Sequence, residues 1–290
     1  MASRVRVGLI GCGLIAQVQH LRNLRSLPGL FEVVAIADRD ERAAHACAAP
    51  FGVSGVHGDG EALLEEDIEA VMIATSGDHA NLVAAAAEKG FAVLVEKPLC
   101  LDLATAGSLV GRLGKNHHRV MLGYMRRYDE AFQGLEAFAR DGDGAILVRT
   151  RTAETAASGY LMALPIDEEL KADEDPQRAA SDDYSFLERR IGGSARIARL
   201  YKNIVLDSLV HELNMVQALA GRAECAVFAE LSEAGAVAVL RCERGLAQFA
   251  WVATPGSARY AQEVQVDEVP TIGVAQGSPH VEGSRRKEGG

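Results

Sequence analysis

Residues 5–16 read Val-Arg-Val-Gly-Leu-Ile-Gly-Cys-Gly-Leu-Ile-Ala. A short β-rich apolar run passes into Gly11-Cys12-Gly13-Leu14-Ile15-Ala16, which fits G-x-G-x-x-A. In that pattern the first glycine permits a tight turn and the second lets a pyrophosphate approach the backbone. The small third residue lets helix pack on strand. Phosphates then lie at a helix N-terminus, where free N–H groups and the macrodipole favour negative charge. A glycine triplet alone also suits a βα turn with no ligand. Here it follows a strand, opens a helical stretch near 14–26, and precedes a strand, 31–37, that ends at Asp38. That acid stands where a ribose 2′-hydroxyl is held. Gly11, Gly13, Leu14, Ile15, Asp38 and Arg39 are therefore expected cofactor contacts. Asp38 favours NAD, because a carboxylate repels a 2′-phosphate. Arg39 could hold that phosphate, which leaves NADP open.

Outward from this turn the chain keeps a regular beat. Apolar runs at 5–10, 31–37, 69–75, 91–95 and 119–123 alternate with helix-like stretches near 14–26, 40–49, 60–66, 78–89 and 102–115. Strands separated by helices imply right-handed βαβ units and a parallel sheet covered on both faces. From about 128 the pattern changes to an amphipathic helix at 129–140, a strand at 145–154, and an acid-rich stretch, 165–183, that reads as a surface loop with helix fragments. A helix at 203–220 follows, then strands at 224–231, 236–242 and 246–253, with a fourth near 260–267. Short turns between these strands imply antiparallel hairpins. The expected organisation is a doubly wound α/β domain over 1–124, an α+β domain over 125–272 on an open, mostly antiparallel sheet, and a disordered tail over 273–290.

Composition narrows the function. The chain has 290 residues and a net charge of -10, which argues against nucleic acid or an anionic membrane as partner. Its five cysteines are scattered without Cys-x-x-Cys spacing, so a disulfide framework or zinc site is not expected and a reducing compartment is. No signal-peptide core or bilayer-length apolar run is present, and a cytoplasmic location is expected. His117 and His118 lie in a polar turn without ligand-spaced partners, so no metal site is assigned.

The strand at 91–95 runs into Glu96-Lys97-Pro98. In open α/β sheets ligands sit beyond the carboxyl ends of strands. An ammonium there could polarise a substrate oxygen and hold the alkoxide formed during hydride transfer. On the tripeptide alone a surface Glu96–Lys97 ion pair is the simpler reading. With Gly-Leu-Ile-Gly-Cys-Gly-Leu-Ile-Ala at 8–16, Val-Met-Ile-Ala-Thr at 71–75 followed by His79, Val-Leu-Val-Glu-Lys-Pro-Leu at 93–99, and Gly123-Tyr124 to Arg127-Tyr128, the chain resembles the glucose–fructose oxidoreductase/inositol dehydrogenase (Gfo/Idh/MocA) family. The matches keep order and spacing over about 120 residues.

The resemblance implies a Rossmann domain, a C-terminal α/β domain with an open antiparallel sheet, a tightly held nicotinamide cofactor, and redox chemistry on sugars, cyclitols or related hydroxyl compounds. It adds Thr75, Ser76, His79, Glu96 and Lys97 to the cofactor edge, and places Lys97 in the active site before a proline that is often cis. Asp207-Ser-Leu-Val-His211 puts both ends on one helix face. The family carries that spacing, with the histidine handling the substrate hydroxyl proton, so His211 is expected as acid/base and Asp207 as its support. Tyr124 and Arg127 at the domain junction are substrate candidates, Arg127 against an interface ion pair.

The chain departs from the family at Tyr201-Lys202-Asn203, where a glycine run is usual, and at Asn214, where an aspartate is common. Its second domain is also shorter. The leading function is an NAD(P)-dependent oxidoreductase acting on a polyhydroxylated small molecule. The alternative is an inactive cofactor-binding regulator or scaffold of the same fold. A sheet with an open face favours a homo-oligomer, dimer or tetramer.

Overall fold

Val5–Ile10 forms β1, whose apolar residues Val7, Leu9 and Ile10 are buried. It is flanked by β2 (Phe31–Ala37) on one side and β4 (Ala70–Ile73) on the other, both parallel to it. β3 (Gly55–His57), β5 (Ala92–Val95) and β6 (Val120–Leu122) complete a six-stranded sheet of order β3-β2-β1-β4-β5-β6. Every pairing is parallel, and the order reverses between β1 and β4. β3 is a strand the sequence pattern does not reveal, since Gly55-Val56-His57 offers one apolar side chain and pairs over only three residues with β2. The computed structural model describes residues 3–141, 145–154, 176–254, 260–266, 271–275 and 278–282.

Helices cover both faces of this sheet. They are α1 (Arg22–Ser26), α2 (Glu41–Ala48), α3 (Gly60–Leu63), α4 (Ala80–Glu88) and α5 (Leu103–Leu113). Aspartates at Asp40, Asp59 and Asp102 start three of them by accepting from first-turn N–H groups, the side-chain capping that suits Asp at this position. One core packs Ile10, Ile73, Val83, Val93 and Leu109, and the other packs Leu9, Ala16, Ile36, Ala44 and Cys47.

The second sheet has seven strands in the order β13-β12-β11-β7-β10-β9-β8. They are β7 (Ile146–Glu154), β8 (Ala223–Ser232), β9 (Gly235–Cys242), β10 (Gly245–Ala253), β11 (Ala261–Val266), β12 (Thr271–Ala275) and β13 (Ser278–Glu282). All pairs are antiparallel except β7 with β10. Its inner face buries Val148, Ala247, Phe249, Trp251 and Val264 against α6 (Glu130–Asp141) and the helical stretch ending at Ala220. Burying Phe249 alone is worth about 1.5–3 kcal/mol. Trp251 is thus a packing residue, as its strand position suggests.

Four features differ from the sequence reading. The chain divides into units Met1–Gly123 with Leu164–Ala195, and Tyr124–Ala163 with Arg196–Gly290, so the second stretch groups with the first unit rather than with the α+β domain. Its helix α7 (Pro176–Ile191) is continuous where loop fragments were expected, and Arg190 pairs with Asp102 at 2.7 Å. Residues 165–175 lie outside the described residues. The tail expected to be disordered contributes β12 and β13, because hydrogen-bonded pairing on β11 extends the sheet. Residues 283–290 lie outside the described residues. The helix expected at 203–220 is a π-helical stretch Tyr201–Leu209 followed by α9 (Val210–Ala220), and a short α8 (Ala195–Leu200) precedes them.

Candidate active site

Gly11 leaves β1 with φ of +97°, and a Cβ there would lie 2.6 Å from the backbone of Ala74 and Thr75. Only glycine fits both the conformation and the space. Its N–H donates to the Ala37 carbonyl at 2.8 Å, which holds the turn against the end of β2. Asp38 then locks the loop. One carboxylate oxygen accepts from the Cys12 N–H at 2.6 Å and the other from the Asp40 N–H at 2.8 Å. Ala16 is fully buried, as the small third position of the pattern requires. Arg39 is exposed. Leu14 and Ile15 are half-buried in the first helical turn.

The carboxyl ends of β4 and β5 are tied together by one imidazole. The Nδ1 of His79 is 2.7 Å from the Pro98 carbonyl and its Nε2 is 2.8 Å from the Thr75 carbonyl. The residue is only 1% exposed, and its ring braces the two strand ends from within the fold. Thr75 is half-buried and Ser76 exposed, at the surface where a ligand could meet them. The Lys97–Pro98 peptide is cis.

Glu96 is held by His20 and by the backbone of Lys97. Its Oε1 lies 2.9 Å from the Nε2 of His20, and its Oε2 accepts from the Lys97 backbone N–H at 3.2 Å. Burial pushes this carboxyl up, but the hydrogen bond and charge of His20, with the charge and N–H of Lys97, hold it below the ordinary carboxylate range. His20 sits in the π-helical stretch Ala16–Leu21 after the glycine loop, and sequence reasoning missed it. The available signal was a histidine one turn beyond a dinucleotide fingerprint, too weak to assign without the fold. Burial, with the charges of Asp78 and Asp102, pushes the nearby Cys100 thiol up to about 12.

The second unit carries the remaining candidates. The His211 ring meets the Tyr124 ring edge-on, with centroids 6.2 Å apart and planes at 87°. Both oxygens of Asp207 accept from the Lys202 ammonium at 2.9 Å. Arg127 pairs with Glu136 at 3.1 Å and lies over the Phe132 ring, a local contact within this unit. His117 and His118 are exposed in a short turn. Among the described residues no cluster of His, Cys, Asp and Glu could hold a metal ion, and no helix is long and apolar enough to cross a membrane.

Residues 5–124 match the GFO_IDH_MocA family, described as "Oxidoreductase family, NAD-binding Rossmann fold". Over that stretch the chain is similar to the Gfo/Idh/MocA oxidoreductases. It is 34% identical over 145 residues to inositol 2-dehydrogenase 3 of Saccharopolyspora erythraea, covering 48% of this chain and 41% of that protein. It is 33% identical over 141 residues to D-apiose dehydrogenase of Paraburkholderia graminis, covering 48% and 37%. The aligned part thus spans less than half the length of these curated relatives. Scyllo-inositol dehydrogenase from Lactobacillus casei, solved with NAD(H) and scyllo-inositol, shares the fold at a TM-score of 0.69 and 20% identity, over 95% of this chain and 77% of that one. The match assigns an NAD-binding Rossmann fold to residues 5–124, and the Gly11 turn fits that cofactor.

Proposed function

We propose that this chain is an NAD-dependent oxidoreductase moving hydride between the nicotinamide and a CH–OH carbon of a cyclitol, sugar or related polyhydroxylated molecule. The observation that carries this reading is the Glu96-Lys97-Pro98 turn, held by His20 and His79 at the carboxyl edge of the sheet that bears the glycine loop. The kinship to inositol and apiose dehydrogenases supports the substrate class.

NAD, when bound, supplies the hydride acceptor. Gly11 and Gly13 open the backbone to its pyrophosphate, and Asp38 accepts from the ribose hydroxyls. Lys97 polarises the substrate oxygen and holds the alkoxide as the C–H electrons depart. His211 takes the hydroxyl proton in oxidation and returns it in reduction, with Asp207 in support and Tyr124 against its ring. The expected partner is the small polyhydroxylated substrate, and the expected setting is the cytoplasm. Phe228, Val237, Leu246 and Val252 are exposed on the second sheet, which supports the expected dimer or tetramer. Sedimentation giving a monomer at micromolar concentration would remove that part.

The test is turnover of the purified protein with NAD or NADP on myo-inositol, scyllo-inositol, D-apiose and amino sugars, followed by absorbance of reduced nicotinamide. Activity with none of them sinks the reading. Lys97→Ala should lower kcat by about 100-fold or more while NAD binding persists. Asp38→Ala should weaken NAD more than NADP, and equal losses would overturn the cofactor preference.

A further inference from the structure

We infer that Lys202 is a positioning residue that acts through Asp207 on the proposed proton-transfer pair; this role rests on the hydride-transfer reading above. Lys202 is 8% exposed, on a helical stretch that also buries Ile204, Ser208 and Leu209. A buried ammonium needs a charged or hydrogen-bonding partner. Its partner is Asp207, whose two oxygens both lie 2.9 Å from Nζ. The lysine side chain is 10% exposed and the aspartate side chain 38%, so the cation lies beneath and the carboxylate faces outward. Lys202 is thus poorly placed to meet a substrate itself and well placed to fix the orientation of the Asp207 carboxylate.

Helical register explains the pair. Five residues along an α-helix turn through about 500°, leaving two side chains about 140° apart. Residues 201–209 are π-helical, and an i→i+5 pattern closes the turn on the fifth residue. Lys202 and Asp207 are separated by five. The wider turn ends at Leu209, and α9 begins at Val210, immediately before His211. One local departure from α-helix therefore seats the lysine under the aspartate and delivers the histidine a turn later. A lysine on the same stretch in α-helical register would point away from Asp207.

The test is a double-mutant cycle in the full-length protein with the substrate found above. Lys202→Met should lower kcat at least 10-fold and change the KM for NAD less than 3-fold. In an Asp207→Asn background the same change should cost less than 2-fold, because the group it positions is already gone. Lys202→Met/Asp207→Asn, which removes both charges, keeps the cycle measurable if an unpaired Asp207 hinders folding; Lys202→Gln is the milder single variant. Equal losses in both backgrounds, or a Lys202→Met enzyme within 2-fold of wild type, overturn the role. A wild type with no turnover on any compound overturns the dehydrogenase reading and this role together, whereas turnover with additive losses overturns this role alone.

Discussion

Gly11 is the residue at which backbone conformation and function are hardest to separate. Its positive φ and the 2.6 Å approach to Ala74 and Thr75 leave no room for a methyl group. Gly11→Ala should destabilise the fold by about 1–3 kcal/mol, the usual cost of a strained backbone, and NAD binding measured by calorimetry should be lost. His20 is a second such residue. Glu96 has a carboxyl held below its ordinary range, so it contributes stability above the unfolded carboxylate pKa of about 4.3 and loses it as pH falls through the folded value. His20→Ala should lower the free energy of urea unfolding at pH 7 by about 1–2 kcal/mol, for a partly buried charged hydrogen bond. The gap from wild type should close as the pH approaches 4. A gap independent of pH would remove Glu96 from the explanation.

At the scale of elements, α9 carries two neighbouring residues with opposite fates. His211 meets Tyr124, while Glu212 is fully buried against the sheet. One oxygen of Glu212 accepts from Thr152 of β7 and from the Gln262 amide of β11 at 2.5 Å. Burial raises this carboxyl, more than the hydrogen bonds from Thr152 and Gln262 and the charge of Arg126 lower it. A raised folded pKa means that stability present below the unfolded value is lost as pH rises through the folded one. Glu212→Gln keeps the acceptor and removes the charge, so its thermal midpoint relative to wild type should rise between pH 5 and 8. Glu212→Leu strands the Thr152 hydroxyl and the Gln262 amide and should cost about 2–4 kcal/mol. A Gln variant that loses stability with pH as wild type does would place the titration elsewhere.

At the scale of the whole molecule, the first unit recruits α7 from far along the chain. Arg190 reaches Asp102, which also caps α5. The half-exposed ion pair is worth at most about 1 kcal/mol, so Arg190→Ala should barely change the melting temperature. Protease cleavage within 176–191 should become faster if the pair holds the helix down, and an unchanged rate would show that other contacts do so. Saturating NAD at about 100 times its Kd should stabilise the folded chain by about 2.7 kcal/mol, and Gly11→Ala should abolish that gain.

The sequence by itself determined the first domain and its cofactor turn. Burial on both faces writes parallel strands as nearly unbroken apolar runs, and a turn that admits a pyrophosphate must spell out its glycines and its acid locally. The same holds for Lys97, which a strand end and a proline announce. Tertiary structure alone decided how those residues are used. That His79 bridges Thr75 and Pro98, that His20 meets Glu96, and that Arg127 is occupied by Glu136 depend on partners up to 76 positions apart. The pairing of Lys202 with Asp207 lies only five residues apart and was still hidden, because α-helical periodicity is assumed when a helix is read from sequence. A π-helical turn leaves no apolar signature of its own, since the packing around it, and not the pattern along it, selects the wider register.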